Sequence, residues 1–168
     1  MISEKQRSAE AACEYVQDGM IVGLGTGSTT EFAVKKIGKL VRNGLSIRGI
    51  PTSDATKILA ESEGIPLIDF SETMSIDLTI DGADEIDANL NMIKGGGAAL
   101  LREKIVASAS REEIIIVSSS KLVQQLGAFP LPVEVVPFGW QFVFNQLESL
   151  QGNPELRLKQ GHPSITDQ

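Results

Sequence analysis

IDLTIDGADEIDANLNMIKGGGAALLREK, residues Ile76–Lys104, is the stretch from which the rest of the chain is read. It opens as a short apolar run that ends at Asp81. Four acids, Asp81, Asp84, Glu85 and Asp87, fall within seven residues. Lys94 and the glycines Gly95, Gly96 and Gly97 follow, and then a helix-forming run carries Arg102, Glu103 and Lys104. Crowded carboxylates raise one another's pKa, which suits proton transfer. Successive glycines free backbone N–H groups to approach an anion. A strand, acids just past it, a lysine and a glycine turn into a helix therefore predict a site that moves protons beside an anion; a solvated acidic loop is the plainer alternative.

The same order recurs on either side. Residues 3–17 are predicted helical, with Ala9, Ala12, Tyr15 and Val16 on one face. Met20–Leu24 is a short buried strand, GTGSTT (25–30) a glycine and hydroxyl turn, and Phe32, Val34, Ile37, Leu40 and Val41 recur at helical spacing. Leu45–Ile50 predicts a second strand, Pro51–Asp54 a turn and cap, and Ile58 and Leu59 mark a helix that Gly64 stops. Pro66–Phe70 is a weaker strand. A helix near Ala98–Ser108 and an apolar strand, Ile114–Val117, complete the series. Strands that are continuous apolar runs, alternating with helices, imply an α/β fold with a parallel sheet covered on both faces. Ligands of such sheets bind beyond the carboxyl ends of the strands. The turns Gly25–Thr30, Thr52–Asp54, Asp81–Gly97 and Ser118–Lys121 all fall there and are expected to form one site.

After Phe129 the texture changes. Pro130, Pro132 and Pro137 bracket a short apolar segment, Phe138–Leu150 predicts a helix with a heavily apolar face, and Glu155–Lys159 alternates like an exposed strand. The expected division is a main domain over 1–130 and a partial small α+β domain over 131–168.

Composition narrows the function. A net charge of −7 without a Lys/Arg-rich run argues against a nucleic-acid surface. One cysteine, Cys13, permits no internal disulfide, and one histidine, His162, leaves too few ligands for zinc. DGADEID spaces its acids by three, which is not a calcium loop. The polar N-terminus has no signal-peptide core and no stretch is long and apolar enough to span a membrane, so a cytoplasmic location and no membrane partner are expected. GLGTGSTT fails the dinucleotide fingerprint, since Ser28 and Thr30 stand where the third glycine would be; without a lysine it also fails the nucleotide phosphate loop. It is left as a phosphate cradle at a helix N-terminus or an ordinary tight turn.

Together these segments resemble a family. GLGTGSTT (23–30), TSDAT (52–56), DGADEID (81–87), KGGGAAL (94–100) with REK (102–104), and SK (120–121) with LGAFPLPVEV (126–135) are similar, in order and spacing, to ribose-5-phosphate isomerase, type A. The resemblance implies a Rossmann-like sheet and interconversion of ribose 5-phosphate and ribulose 5-phosphate in the non-oxidative pentose phosphate pathway, with neither metal nor organic cofactor. It implies Glu103 as the base that carries a proton between C2 and C1, and Lys94 as the group that stabilises the enediolate oxygen. Asp81 and Asp84 are implied to bind sugar hydroxyls and assist ring opening. Substrate binding is implied for Thr26, Gly27, Ser28, Thr29, Gly82, Ala83, Gly95, Gly96 and Gly97, with Lys121 on the phosphate side. Lys5 is a loose counterpart of an N-terminal lysine in the family.

Members of that family run on past the point where this chain stops and finish the small domain. The resemblance therefore implies an apolar surface on Phe138–Leu150 with too few partners; either self-association as a homodimer or higher homo-oligomer, or a mobile segment beyond about Pro130, is expected. Two other readings are a sugar-phosphate sensor module, which would not need Glu103, and an inactive member of the family.

Overall fold

The computed structural model describes residues 2–167. The Ser3 side chain accepts from the Gln6 N–H and opens α1 (Glu4–Ala12), which tightens into a single 3-10 turn at Cys13–Tyr15. Then come β1 (Ile21–Leu24), α2 (Thr30–Arg42), β2 (Arg48–Pro51) and α3 (Asp54–Ser62). Ser53 caps α3 by accepting from the Thr56 N–H. Next are β3 (Ile76–Asp81), a hairpin of β4 (Glu85–Ile86) and β5 (Met92–Ile93), α4 (Leu100–Ser108) and β6 (Ser110–Ile115). The last elements are α5 (Trp140–Ser149), preceded by a 3-10 turn at Pro137–Gly139, and the hairpin β7 (Leu158–Lys159) and β8 (His162–Pro163).

The main sheet has the order β2-β1-β3-β6, and every pair is parallel. One face carries the larger apolar core, in which Val22, Leu24, Leu78 and Ile80 meet Val34 and Ile37 of α2. Helix α4 packs on β3 and β6. The approach of α4 is set by a missing side chain. A Cβ on Gly23 would lie 2.0 Å from Thr79 Oγ1 and 2.7 Å from Val106 Cγ1, so only glycine lets the sheet and helix meet there. Thr79 and Asp81 share one face of β3, because strand side chains alternate. Glu103 and Val106 share one face of α4, because residues three apart are neighbours on a helix. Contact at Thr79 and Val106 thus carries Asp81 and Glu103 towards each other one step further along.

Several elements differ from the sequence expectation. The edge strand β6 begins four residues earlier than Ile114, since it pairs with β3 from Ser110 onward. Its exposed Arg111, Glu112 and Glu113 lack an apolar signature, and charge on an outer strand discourages pairing with another chain. The expected strand over Pro66–Phe70 reduces to one bridge, Leu67 to Gly49, before a 3-10 turn at Phe70–Glu72 capped by Asp69. Strand β2 starts at Arg48 rather than Leu45. The β4–β5 hairpin was not expected: two-residue strands are too short to show a period. Its turn is tied by Asp87, whose carboxylate accepts from the Asn89 and Asn91 N–H groups and the Asn91 side chain.

Beyond Pro130 the apolar face of α5 forms as expected and none of its residues is buried. Phe138 is 97% exposed, Phe142 70% and Leu150 78%, while Trp140 and Phe144 pack edge to face with ring centres 6.2 Å apart. The segment meets the glycine turn through Arg157, which donates to the Gly96 carbonyl at 2.9 Å.

Gly23→Ala tests the sheet–helix contact. A methyl group forced into that gap should lower unfolding stability by about 1–3 kcal/mol, read by chemical denaturation. Wild-type stability would show that α4 yields without cost.

Candidate active site

At the carboxyl ends of β1, β3 and β6 lies a cleft of about 260 Å³. Strand β3 delivers Asp81 with the side chain 1% accessible. Its Oδ1 accepts from the Gly82 N–H at 2.7 Å and the Thr26 N–H at 3.2 Å. Its Oδ2 accepts from Lys94 Nζ at 3.0 Å. Lys94 is thirteen residues away in sequence, and the β4–β5 hairpin returns it to the strand end. The ammonium also donates to the Gly82 carbonyl and lies 3.2 Å from Glu103 Oε2. Glu103 is only 4% exposed. One ammonium therefore sits between two buried carboxylates.

The charges follow from that count. For Glu103, burial and then the Asp81 charge raise the carboxyl, the Lys94 ammonium opposes them, and the pKa settles at about 7. Burial also pushes Asp81 up, against Lys94 and the Gly82 and Thr26 N–H groups. Burial disfavours the Lys94 charge, but Asp81 and then Glu103 outweigh it and the ammonium is held more firmly than usual. The pair of carboxylates keeps one dissociable proton near neutrality. Glu103, whose partner among the described residues is Lys94, is the one that sits near neutrality, while burial raises Asp81 against its three N–H donors.

Asp84, Lys94 and Glu103 line the cleft with Thr26, Gly27, Ser28, Thr29, Gly82, Ala83, Gly95, Gly96, Gly97 and Lys121. Asp84 Oδ2 accepts from the Gly96 N–H at 2.7 Å, which ties the acidic loop to the glycine turn. Asp81 is buried against Lys94 at the edge of this group. A Cβ on Gly25 would fall 2.2 Å from Asp81 Oδ1, which explains the glycine that begins the turn.

Of the four clustered acids, the other two serve the scaffold. Glu85 is buried and accepts from the Gly127 and Phe129 N–H groups at 2.7 and 2.6 Å, fixing the segment after Lys121. Asp87 closes the hairpin. Lys5 belongs to the site more firmly than its sequence suggested: it lines the cleft and donates to Ser28 Oγ at 2.7 Å. Glu4 places it there by accepting from the Ser119 N–H and hydroxyl, which joins α1 to the Ser118–Lys121 turn. No periodicity could reveal a contact spanning 115 residues. Lys121 Nζ lies 5.6 Å from the centre of the Phe129 ring.

The profile of the family Ribose 5-phosphate isomerase A (phosphoriboisomerase A) matches residues 48–168. A ribose-5-phosphate isomerase A from Bacillus cereus is 55% identical over 163 residues, 97% of this chain and 74% of the relative. This chain belongs to the ribose-5-phosphate isomerase A family. Two solved family structures share the fold. One is a ribose 5-phosphate isomerase A from Methanocaldococcus jannaschii, with TM-score 0.94, 40% identity, and coverage of 98% of this chain and 75% of that one. The other is a D-ribose-5-phosphate isomerase in complex with phospho-erythronic acid, with TM-score 0.94, 40% identity, and coverage of 98% and 74%. The parallel sheet and helices expected from the sequence are thus those of the family.

The buried charge cluster makes a stability prediction. In the unfolded chain Glu103 ionises near 4.5, whereas in the fold it does so at about 7. Between those values the folded chain holds a proton that the unfolded chain has released, so this group takes stability away as pH rises through the window. Glu103→Gln should remove that loss. Relative to wild type, the variant should gain on the order of a few kcal/mol between pH 4.5 and 8, measured by denaturation. Parallel pH profiles for the two proteins would overturn the assignment.

Proposed function

We propose that this chain interconverts D-ribose 5-phosphate and D-ribulose 5-phosphate by moving a proton between C2 and C1 through an enediolate. The observation that carries the reading is Lys94 Nζ at 3.2 Å from Glu103 Oε2 on the wall of the cleft, in a chain of this family. Ionised Glu103 takes the C2 proton of the open-chain aldose. The electron pair forms the C1–C2 double bond, and negative charge collects on the C1 oxygen. The Lys94 ammonium, already fixed, stabilises that charge without reorganising. The hydroxyl proton passes from the C2 oxygen to the C1 oxygen, and Glu103 returns its proton to C1. A base with pKa about 7 is matched to work near neutrality.

In this reading Asp84 accepts from a sugar hydroxyl and assists ring opening, while Asp81 acts through Lys94 by fixing its position. Lys5, Ser28, Thr29 and Lys121, with the N-terminus of α2, hold the phosphate. The chemistry is complete without a metal or an organic cofactor. Residues 1–130 supply this machinery and 131–168 form a separate small α+β unit. The exposed Phe138, Phe142 and Leu150 favour a homodimer or higher homo-oligomer, since patches of this kind mark interaction surfaces. No helix among the described residues is long and apolar enough to cross a membrane. The substrate, a charged metabolite, fits action in the cytoplasm.

Glu103→Gln keeps the shape and removes the base, so turnover in a coupled isomerase assay should fall at least ~100-fold. In wild type the rate should fall as pH drops through about 7, where the base takes up its proton. Near-native turnover of the variant would end this reading.

For the phosphate, Lys121→Ala and Lys5→Ala should each weaken ribose 5-phosphate about 10–100-fold, the cost of one hydrogen bond to a charged group. Affinity for unphosphorylated ribose should not move. Calorimetry showing equal losses for both sugars would refute the assignment.

A further inference from the structure

Four hydroxyls lie packed beneath the turn that starts at Gly25. Thr52 is fully buried, and Ser53 and Thr56 nearly so. Thr26 Oγ1 lies 2.7 Å from Thr52 Oγ1, 2.8 Å from Ser53 Oγ and 3.2 Å from Thr56 Oγ1. Ser53 Oγ and Thr56 Oγ1 are 3.0 Å apart, and Thr56 Oγ1 is 3.0 Å from the Gly25 carbonyl oxygen. Thr52 Oγ1 is 3.1 Å from the Leu24 carbonyl oxygen, which already accepts the Thr52 N–H at 3.0 Å.

A hydroxyl has one proton to donate and two lone pairs that accept. The Gly25 carbonyl can only accept, so Thr56 donates to it. Thr56 then has no proton for Ser53, and Ser53 donates to Thr56. Ser53 in turn has none for Thr26, so Thr26 donates to Ser53. By the same rule Thr52 donates to the Leu24 carbonyl, so it has no proton for Thr26 and its 2.7 Å contact accepts from the Thr26 hydroxyl, whose proton faces Thr52 and Ser53. The 3.2 Å contact between Thr26 and Thr56 is left without a proton and closes the group. Protons therefore point away from the cleft, from Thr26 through Ser53 to Thr56 and the Gly25 carbonyl, with Thr52 anchored on the Leu24 carbonyl beside them. Thr26 lines the cleft, yet its hydroxyl proton is committed behind the cleft wall.

We propose that this directed chain of hydroxyls is what holds the substrate turn in shape. Thr26 then serves binding through its place in the chain and not by donating its hydroxyl to the sugar, and Thr52, Ser53 and Thr56 are positioning residues. The inference rests on the site reading above and adds to it residues that do not touch the ligand. Its reach extends to the charge cluster, because the same turn holds the Thr26 N–H at 3.2 Å from Asp81. Buried networks of this sort rigidify when every member is satisfied and loosen when one is removed.

The test compares valine, which keeps the shape of threonine, with serine, which keeps the hydroxyl. Thr56→Val removes the last hydroxyl of the chain and strips the Gly25 carbonyl of its donor. It should lower kcat/KM about 10–100-fold through a displaced turn. It should also speed amide hydrogen exchange at Thr26 in the ligand-free protein, while Thr56→Ser stays close to wild type in both. Thr52→Val removes only an acceptor at the side of the chain and should do less; it carries the same comparison, against Thr52→Ser, where Thr56→Val does not fold. Wild-type exchange at Thr26 in the valine variants overturns the proposal. So does a serine variant as impaired as its valine counterpart, or a greater loss from Thr52→Val than from Thr56→Val. Because exchange is read without substrate, it decides the inference even where wild-type protein shows no isomerase activity and the functional reading itself fails.

Discussion

A single ammonium shared by two buried carboxylates is the constraint on which this structure turns. Removing charges from water is costly, and Lys94 can be buried only because Asp81 and Glu103 meet it. The converse holds less well, since one positive charge cannot satisfy two negative ones. The surplus raises both carboxyls, Glu103 to about 7. A proton acceptor poised near neutrality is then a consequence of the count of charges, with no further device required.

Holding three charged groups from successive elements within hydrogen-bond reach explains features that otherwise look arbitrary. Gly23 lets α4 come down on β3. The β4–β5 hairpin, tied by Asp87, folds Lys94 back over the strand it follows. Gly25 leaves room for the Asp81 carboxylate. Each lies outside the reacting group, and each is a condition of its geometry.

The sequence made the sheet legible wherever a strand was buried on both sides, as at Ile21–Leu24 and Ile76–Asp81, because burial there demands a continuous apolar run. It misplaced β6, whose start is charged because it lies at an outer edge. It missed β4 and β5, whose two-residue lengths carry no period. The site was legible to the same degree. DGADE and KGGG were expected to meet in one site, and residues of both line the same cleft. Nothing local could separate Asp81 and Asp84 from Glu85 and Asp87, since that depends on which backbone amides each carboxylate meets after folding. Lys5 and Thr56 were obscure for the same reason: their partners lie 23 to 31 residues away.

The exposed face of α5 has a meaning for biosynthesis. Chains emerge from the ribosome N-terminal end first, and domains fold as units as they appear. Every strand of the main sheet, and every member of the charge cluster, precedes Ile116, whereas Phe138, Phe142 and Leu150 come later. The sheet can therefore close before the stickiest residues leave the exit tunnel. A circularly permuted chain that presents α5 first would expose them to the crowded cell while no folded body exists to dilute their effect, and its expected failing is aggregation during translation rather than a weaker native state.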